Sequence, residues 1–186
     1  DGDQAVFTNV ILSIPQDTAA DEPLYSEEEI AEMDDDDIDW LGIHCTRLNA
    51  HLLRVLFKEH AHPRVFSDPD ERVAFDERIA IGAGWRPGWS TDFVAVSIAE
   101  RVGAKSVINL SNIDYVCAED PGINPNAERF DILSWREYRT LIPSEWSPGL
   151  NAPFDPIAAK KAEELGLDVA IMNGNDLDNF SGYIKG

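Results

Sequence analysis

The hydrophobic pattern changes period several times along the chain. Residues 5–14 (AVFTNVILSI) form a nearly unbroken apolar run closed by Pro15, as in a buried strand. Residues 16–37 are acidic and read as surface, with a capping-box pattern at Ser26-Glu27-Glu28-Glu29 that predicts a short helix. Across 38–58 the apolar positions Ile38, Leu41, Cys45, Leu48, Leu52 and Leu56 recur at spacings of three and four, the mark of an amphipathic helix. Arg78 to Gly84 (RIAIGAG) reads as a strand entering a glycine-bearing loop, followed by a helix to Val102 with Gly103 as its stop. Ser106 to Leu110 is the next strand, and a long polar loop, 111–131, follows it. Ser134-Trp135-Arg136-Glu137 is a second capping box. Asp155-Pro156 combines an N-cap with a proline at the first helical position, opening a helix to Leu165 that stops at Gly166. Leu167 to Met172 is a strand, and Asn173-Gly174 turns into a last short helix.

From residue 78 the order is strand, helix, strand, helix, helix, strand, helix. Such alternation predicts an α/β fold with a mostly parallel sheet covered by helices. Ligands of such sheets sit at the carboxyl ends of the strands, where the loops 85–92 and 111–121 fall. The 186 residues suit one α/β domain, with 44% hydrophobic content.

The formal charge is −20, from 35 acidic against 15 basic residues. Such a surface repels nucleic acid and anionic membrane, so neither is an expected partner. It leaves room for a phosphate-bearing substrate, because sites are local and Mg²⁺ can supply positive charge. Cys45 and Cys117 build no disulfide framework or zinc signature. No apolar run reaches membrane-spanning length and no signal-peptide pattern is seen, so a reducing cytoplasm is expected. The acidic run Asp34 to Asp37 has no Gly-turn calcium loop around it and reads as a solvated helix entry. His44, His51, His60 and His62 lack a carboxylate or cysteine that would complete a familiar ligand spacing, so no metal site is assigned to them.

Two segments carry the chemistry. The loop from Gly82 to Asp92 ends at a helix N-terminus with Ser90, Thr91 and Asp92, whose hydroxyls and free N–H groups suit a phosphate. Ser90 or Thr91 can equally be a plain cap. Ser111-Asn112-Ile113-Asp114-Tyr115-Val116-Cys117-Ala118-Glu119-Asp120-Pro121 begins where a strand ends and can embrace a nucleotide, or be a loop of Asx turns.

Taken in order, these segments resemble the archaeal-type UMP kinases of the amino-acid-kinase superfamily. Asp39-Trp40-Leu41-Gly42 with Thr46-Arg47-Leu48-Asn49-Ala50 matches a D-x-x-G and T-R-x-N-A helix. Gly84 to Asp92 resembles the G-x-x-P-G-x-[ST]-T-D loop, and Ser111 to Pro121 the T-N-x-D-G-V-Y-x-x-D-P loop. Phe154-Asp155-Pro156 with Ala158-Ala159 resembles the later D-P-x-A-A helix start. Four motifs in order over roughly residues 37 to 186 are far more specific than any one alone.

The resemblance implies a three-layer sandwich like that of carbamate kinase, as one domain over 1–186 in which 1–33 do not resemble the family. It implies transfer of the ATP γ-phosphoryl group to UMP, giving UDP for pyrimidine nucleotide synthesis, with Mg²⁺ and by positioning and charge neutralisation. Asp39 would hold the ribose hydroxyls of UMP, as a carboxylate can accept from both. Trp85, Arg86, Pro87, Gly88, Trp89, Ser90 and Thr91 would wrap UMP, with Thr91 donating to its phosphate. Asp92 would be the catalytic carboxylate. Ser111, Asn112, Cys117, Asp120 and Asp155 would contact ATP. The family implies a hexamer.

Departures shape the expectation. No Lys precedes Lys58, and only Gly2 and Gly42 precede Gly82, so the family's phosphate-cradling first elements are not in this chain. Tyr115 stands for the family's Gly and Cys117 for its Tyr. The chain ends short of the family's closing strand. It is therefore expected to be a piece of a kinase, weakly active or inactive by itself. A non-catalytic relative of the molybdenum-storage kind is the alternative, against which Asp39, Thr91 and Asp92 speak. Another small-molecule kinase of the superfamily is disfavoured by the T-R-x-N-A helix.

Overall fold

A computed structural model describes residues 5–8, 32–71, 76–145 and 152–186. Two compact units are present, one made of Asp1–Val10 with Ser90–Gly186, the other of Ile11–Trp89.

The larger unit is built on a parallel sheet. Strand β1 (Ala5–Thr8) pairs with β4 (Ser106–Ser111), which pairs with β7 (Asp168–Asn173). The 5–14 strand is thus present over 5–8; its remainder and the 26–29 capping box lie outside the described residues. Helices α2 (Thr91–Val102) and α4 (Pro156–Leu165) pack on each other, and α3 (Trp135–Leu141) packs on α4. The core is Val96, Ala99, Val107, Phe154, Ala158, Ala159 and Ala162, all fully buried. Alanine on the facing sides of α2 and α4 lets the two helices approach closely. Both end as their glycines predict, with Gly103 and Gly166 at φ of 71° and 65°, a conformation glycine adopts without steric cost. The capping box at Ser134 and Glu137 is formed in both directions, and its hydrogen bonds hold the Glu137 carboxyl below its usual pKa. After β7 the chain turns into α5 (Leu177–Lys185).

Within the loop 111–131 the structure adds a two-residue antiparallel pair, β5 (Val116–Cys117) with β6 (Arg129–Phe130). Glycine, proline and asparagine dominate the segment between them and mask the pairing in the sequence.

The smaller unit holds α1 (Asp35–Leu56) against a parallel pair, β2 (Ala61–Phe66) and β3 (Ile79–Gly82). Asp34 caps α1, its carboxylate taking the Asp37 N–H at 2.8 Å, and Asp35, Asp36 and Asp37 lie exposed at the positive end of the helix dipole. The acidic run is the solvated helix entry that the sequence predicts. The helix period is as expected, but its packed face is not the most apolar one. Ile43 and Ala50 are buried, Ala50 packing with Ala61, Ile81 and Ala83, while Leu41, Cys45, Leu48 and Leu56 are exposed. Strand β2 is new relative to the sequence reading. It contains Pro63, which cannot donate to a ladder, and its register shifts between Ala61 and Val65.

Candidate functional site

The expected site residues fall in both units. In the smaller one, three side chains of α1 converge on the loop that follows β3. Thr46 Oγ1 donates to the Ile43 carbonyl at 2.7 Å, and in turn accepts the Gly84 N–H at 2.9 Å. The Arg47 guanidinium donates from Nε to the Gly84 carbonyl (3.2 Å) and from a terminal nitrogen to the Trp85 carbonyl (2.8 Å). About two helical turns earlier, the Asp39 carboxylate takes the Gly88 N–H at 2.7 Å. Glycine is required at two of these points. A Cβ on Gly84 would stand 2.8 Å from Thr46 Oγ1, and Gly88 has φ of 82°.

Between those anchors the loop presents an aromatic and cationic surface. The Arg86 guanidinium lies 4.0 Å from the Trp85 ring centroid and 5.9 Å from that of Trp89, and the two indoles are 5.9 Å apart. Trp85, Pro87 and Trp89 are half-buried and Arg86 is exposed. Cation–π stacking holds the arginine head over the two indoles.

In the larger unit, two helix N-termini come together. Ser90 caps α2 by accepting the Phe93 N–H at 3.1 Å, and Asp155 caps α4 by accepting the Ala158 N–H at 2.5 Å. The capping reading of Ser90 therefore holds. Its hydroxyl also bonds the Asp155 carboxylate, and Asp92 accepts the Asp155 N–H at 3.0 Å. Thr91 is half-buried at the first position of α2. Asp92 and Asp155 are both buried, each in or next to the first turn of a helix, where the positive end of the dipole favours a carboxylate. Burial pushes the Asp155 pKa above its ordinary value, opposed by the bonds from Ala158, Ser90 and Ile157.

The sign of that shift gives a prediction. A raised carboxylate pKa means that the folded state holds its proton more tightly than the unfolded chain. The stabilising contribution is full below the ordinary aspartate value, about 3.9, and is lost as pH rises through the folded value. Asn caps as well as Asp. Asp155→Asn is therefore expected to gain stability relative to the unaltered protein as pH is raised above about 4. Urea unfolding of both proteins at a series of pH values reads this directly; a constant difference would show that Asp155 has no perturbed titration.

Residues outside the expected set support this corner. Asn109 on β4 is buried, and its amide donates to the Pro153 carbonyl at 3.2 Å, tying the sheet to the turn before Asp155. The Tyr138 hydroxyl accepts the Phe154 N–H and donates to the Phe154 carbonyl, both at 2.7 Å. Burial raises its phenol pKa, keeping it neutral and able to donate.

The second expected loop leaves the carboxyl end of β4. Ser111 stands opposite Asn173 in the register, its hydroxyl 3.3 Å from Asn112 Oδ1. Cys117 is half-buried on β5. Asp120 closes a turn, its carboxylate taking the Gly122 N–H at 2.7 Å, as an Asx loop does. Tyr115 is exposed, with Arg129 5.0 Å from its ring centroid. At the same edge a cleft of about 500 Å³ is lined by Asp114, Asn173, Asn175, Asp176, Leu177 and Asp178, and Asn173 donates to Asp114 at 2.8 Å. The sequence reads Asn173 only as the start of a turn, although its position at the carboxyl end of a parallel strand before a glycine is the signal that marks a site residue.

Comparison with known proteins follows the same lines. Residues 7–173 match the amino acid kinase family. The uridylate kinase of Pyrobaculum islandicum is 42% identical over 150 residues, covering 80% of this chain and 69% of that protein. That of Methanococcoides burtonii is 34% identical over 142 residues, covering 74% of this chain. The chain spans 60% of the Methanococcoides protein and 66% of the Hyperthermus butylicus one. Among solved structures, uridylate kinase from Archaeoglobus fulgidus aligns with a TM-score of 0.69 at 30% identity, over 84% of this chain and 72% of that one. UMP kinase from Bacillus anthracis aligns with a TM-score of 0.67 at 19% identity, over 88% of this chain and 72% of that one, a likeness of fold.

Proposed function

Because the chain belongs to the amino acid kinase family, grouping there with the uridylate kinases, we propose that it serves phosphoryl transfer from ATP to UMP, giving UDP and ADP. The observation that carries this reading is the bond from Gly88 N–H to Asp39. It sets a carboxylate against a glycine turn flanked by Trp85, Arg86 and Trp89, a surface suited to a nucleoside monophosphate. One Asp39 oxygen holds the turn and the other serves the ribose hydroxyls. The indoles and Pro87 cover the uracil, and Arg86 can leave its stack to meet the phosphate. Ser90 and Thr91, at the N-terminus of α2, offer hydroxyls and free N–H groups suited to a phosphate.

On the donor side, Ser111, Asn112, Cys117 and Asp120 lie along the loop after β4 and serve ATP. Tyr115 replaces the family's aromatic from a neighbouring position. Asp92 and Asp155 are buried oxygen donors of the kind Mg²⁺ takes. The ion would be held by these two and by the nucleotide phosphates, neutralising charge on the transferring group. Asp92 orients the cationic partners of that group, and no covalent intermediate is needed.

The proposal places the protein in the cytoplasm as a homo-oligomer, a hexamer by kinship. No helix among the described residues is long and apolar enough to cross a membrane. The exposed stripe Leu41, Leu48 and Val55 on α1 supports self-association. Leu48→Glu is expected to lower the assembly's mass in analytical ultracentrifugation; an unchanged mass would remove this stripe from any interface.

The test of function is ADP release in a coupled assay with UMP, CMP and acetylglutamate, with calorimetric binding of the same compounds to this chain. Turnover with UMP, and binding of UMP without acetylglutamate, are expected. Turnover confined to acetylglutamate would sink the reading.

A further inference from the structure

We propose that Arg47 is the positioning residue of the acceptor loop, acting as a geometric bridge and not as a charge. The inference rests on the uridylate reading for its ligand. Its structural basis is independent of that reading. The partners of the guanidinium are two consecutive carbonyl oxygens, those of Gly84 and Trp85, reached from two different nitrogens. Among the described residues no carboxylate pairs with it. The Trp40 ring lies 5.8 Å from the guanidinium carbon and packs beside it. A planar fork with divergent donors spans two carbonyls in fixed geometry, whereas a lysine ammonium is a point charge on a flexible stem.

The bridge works as part of a two-ended clamp. Thr46 and Arg47 grip the entry of the loop at Gly84 and Trp85, and Asp39 grips its tip at Gly88. All three project from one rigid helix, and Gly84 is a glycine so that the loop can lie this close to it. Trp85, which carries the stacked Arg86, follows directly from the bridged carbonyl of Gly84. Without the bridge the entry loses two hydrogen bonds from a charged donor. The loop must then be ordered when the acceptor binds, at the expense of affinity. Asp39 keeps its contact with the ribose but no longer faces a fixed turn.

The test uses Arg47→Lys and Arg47→Met in this chain. Both variants are expected to weaken UMP binding by about tenfold or more, the worth of one charge-assisted hydrogen bond, while ATP binding stays within about twofold. A general loss of fold would move both ligands together. Chymotrypsin cleavage after Trp85 and Trp89 is expected to accelerate in both variants. An Arg47→Lys protein with unaltered UMP affinity and cleavage rate would overturn the proposal, since charge alone would then suffice. If the unaltered chain binds no UMP, the uridylate reading fails. The cleavage arm still decides the clamp: faster cutting in the variants supports it, equal rates overturn it.

Discussion

Asp92→Asn is expected to reduce UMP phosphorylation by on the order of a thousandfold while leaving the fold in place. The two halves of that expectation come from different atoms. Asn keeps the shape of the side chain and a carbonyl oxygen able to accept the Asp155 N–H, now held at 3.0 Å by Asp92 Oδ2. The lost negative charge costs about 1 kcal/mol of helix-dipole interaction in the first turn of α2. The retained bond to the Asp155 N–H limits the loss to that amount. Urea midpoints should therefore differ little. Transfer of a phosphoryl group depends on preorganised charge at the reacting centre, and an amide cannot replace a carboxylate that orients cations there. The measurement is kcat for UMP in the longest form of the protein that turns over, beside the unfolding curve of the same variant. Near-unaltered turnover would remove Asp92 from the mechanism.

The parts that could be read from the sequence were those with local causes. Helix ends at Ser134, Asp155, Gly103 and Gly166 follow from capping chemistry written in neighbouring residues, and all four stand where expected. The loop from Gly84 to Asp92 announced itself by its glycines and by the hydroxyls at a helix start. What escaped depends on partners distant in sequence. Strand β2 carries Pro63 between His62 and Arg64, and local propensity argues against a strand there; pairing with Ile79 and Ile81 imposes one. The packed face of α1 is not its largest apolar stripe: Leu41 and Leu48 lie outside while Ala50 packs against Ala61 and Ile81. Close packing on a strand pair rewards small residues, so size misled where period did not. Asn109 inside β4 and Asn173 at the end of β7 find their partners only in the folded sheet, one gripping Pro153 and the other Asp114.

The largest structural effect is expected at Phe154. Its side chain is fully buried, with its ring 6.2 Å from that of Trp135, and its own N–H and carbonyl are both held by the Tyr138 hydroxyl. Phe154→Ala should cost about 3–5 kcal/mol, the transfer term plus the cavity left among alanines too small to fill it. Ala158, Ala159 and Ala162 carry only a methyl group with no rotamer to swing inward, and α4 can move only as a body. Collapse by such a movement would carry Asp155, the next residue, away from Asp92 and Ser90. Stability and donor-side binding should therefore fall together, which separates this variant from Asp92→Asn. Tyr138→Phe is the control. It keeps the volume but strands two buried backbone groups, and should cost about 1–3 kcal/mol. Urea unfolding of the three proteins ranks them. If Phe154→Ala proved milder than Tyr138→Phe, the hydroxyl bridge and not the ring would be what fixes Asp155 at the mouth of α4.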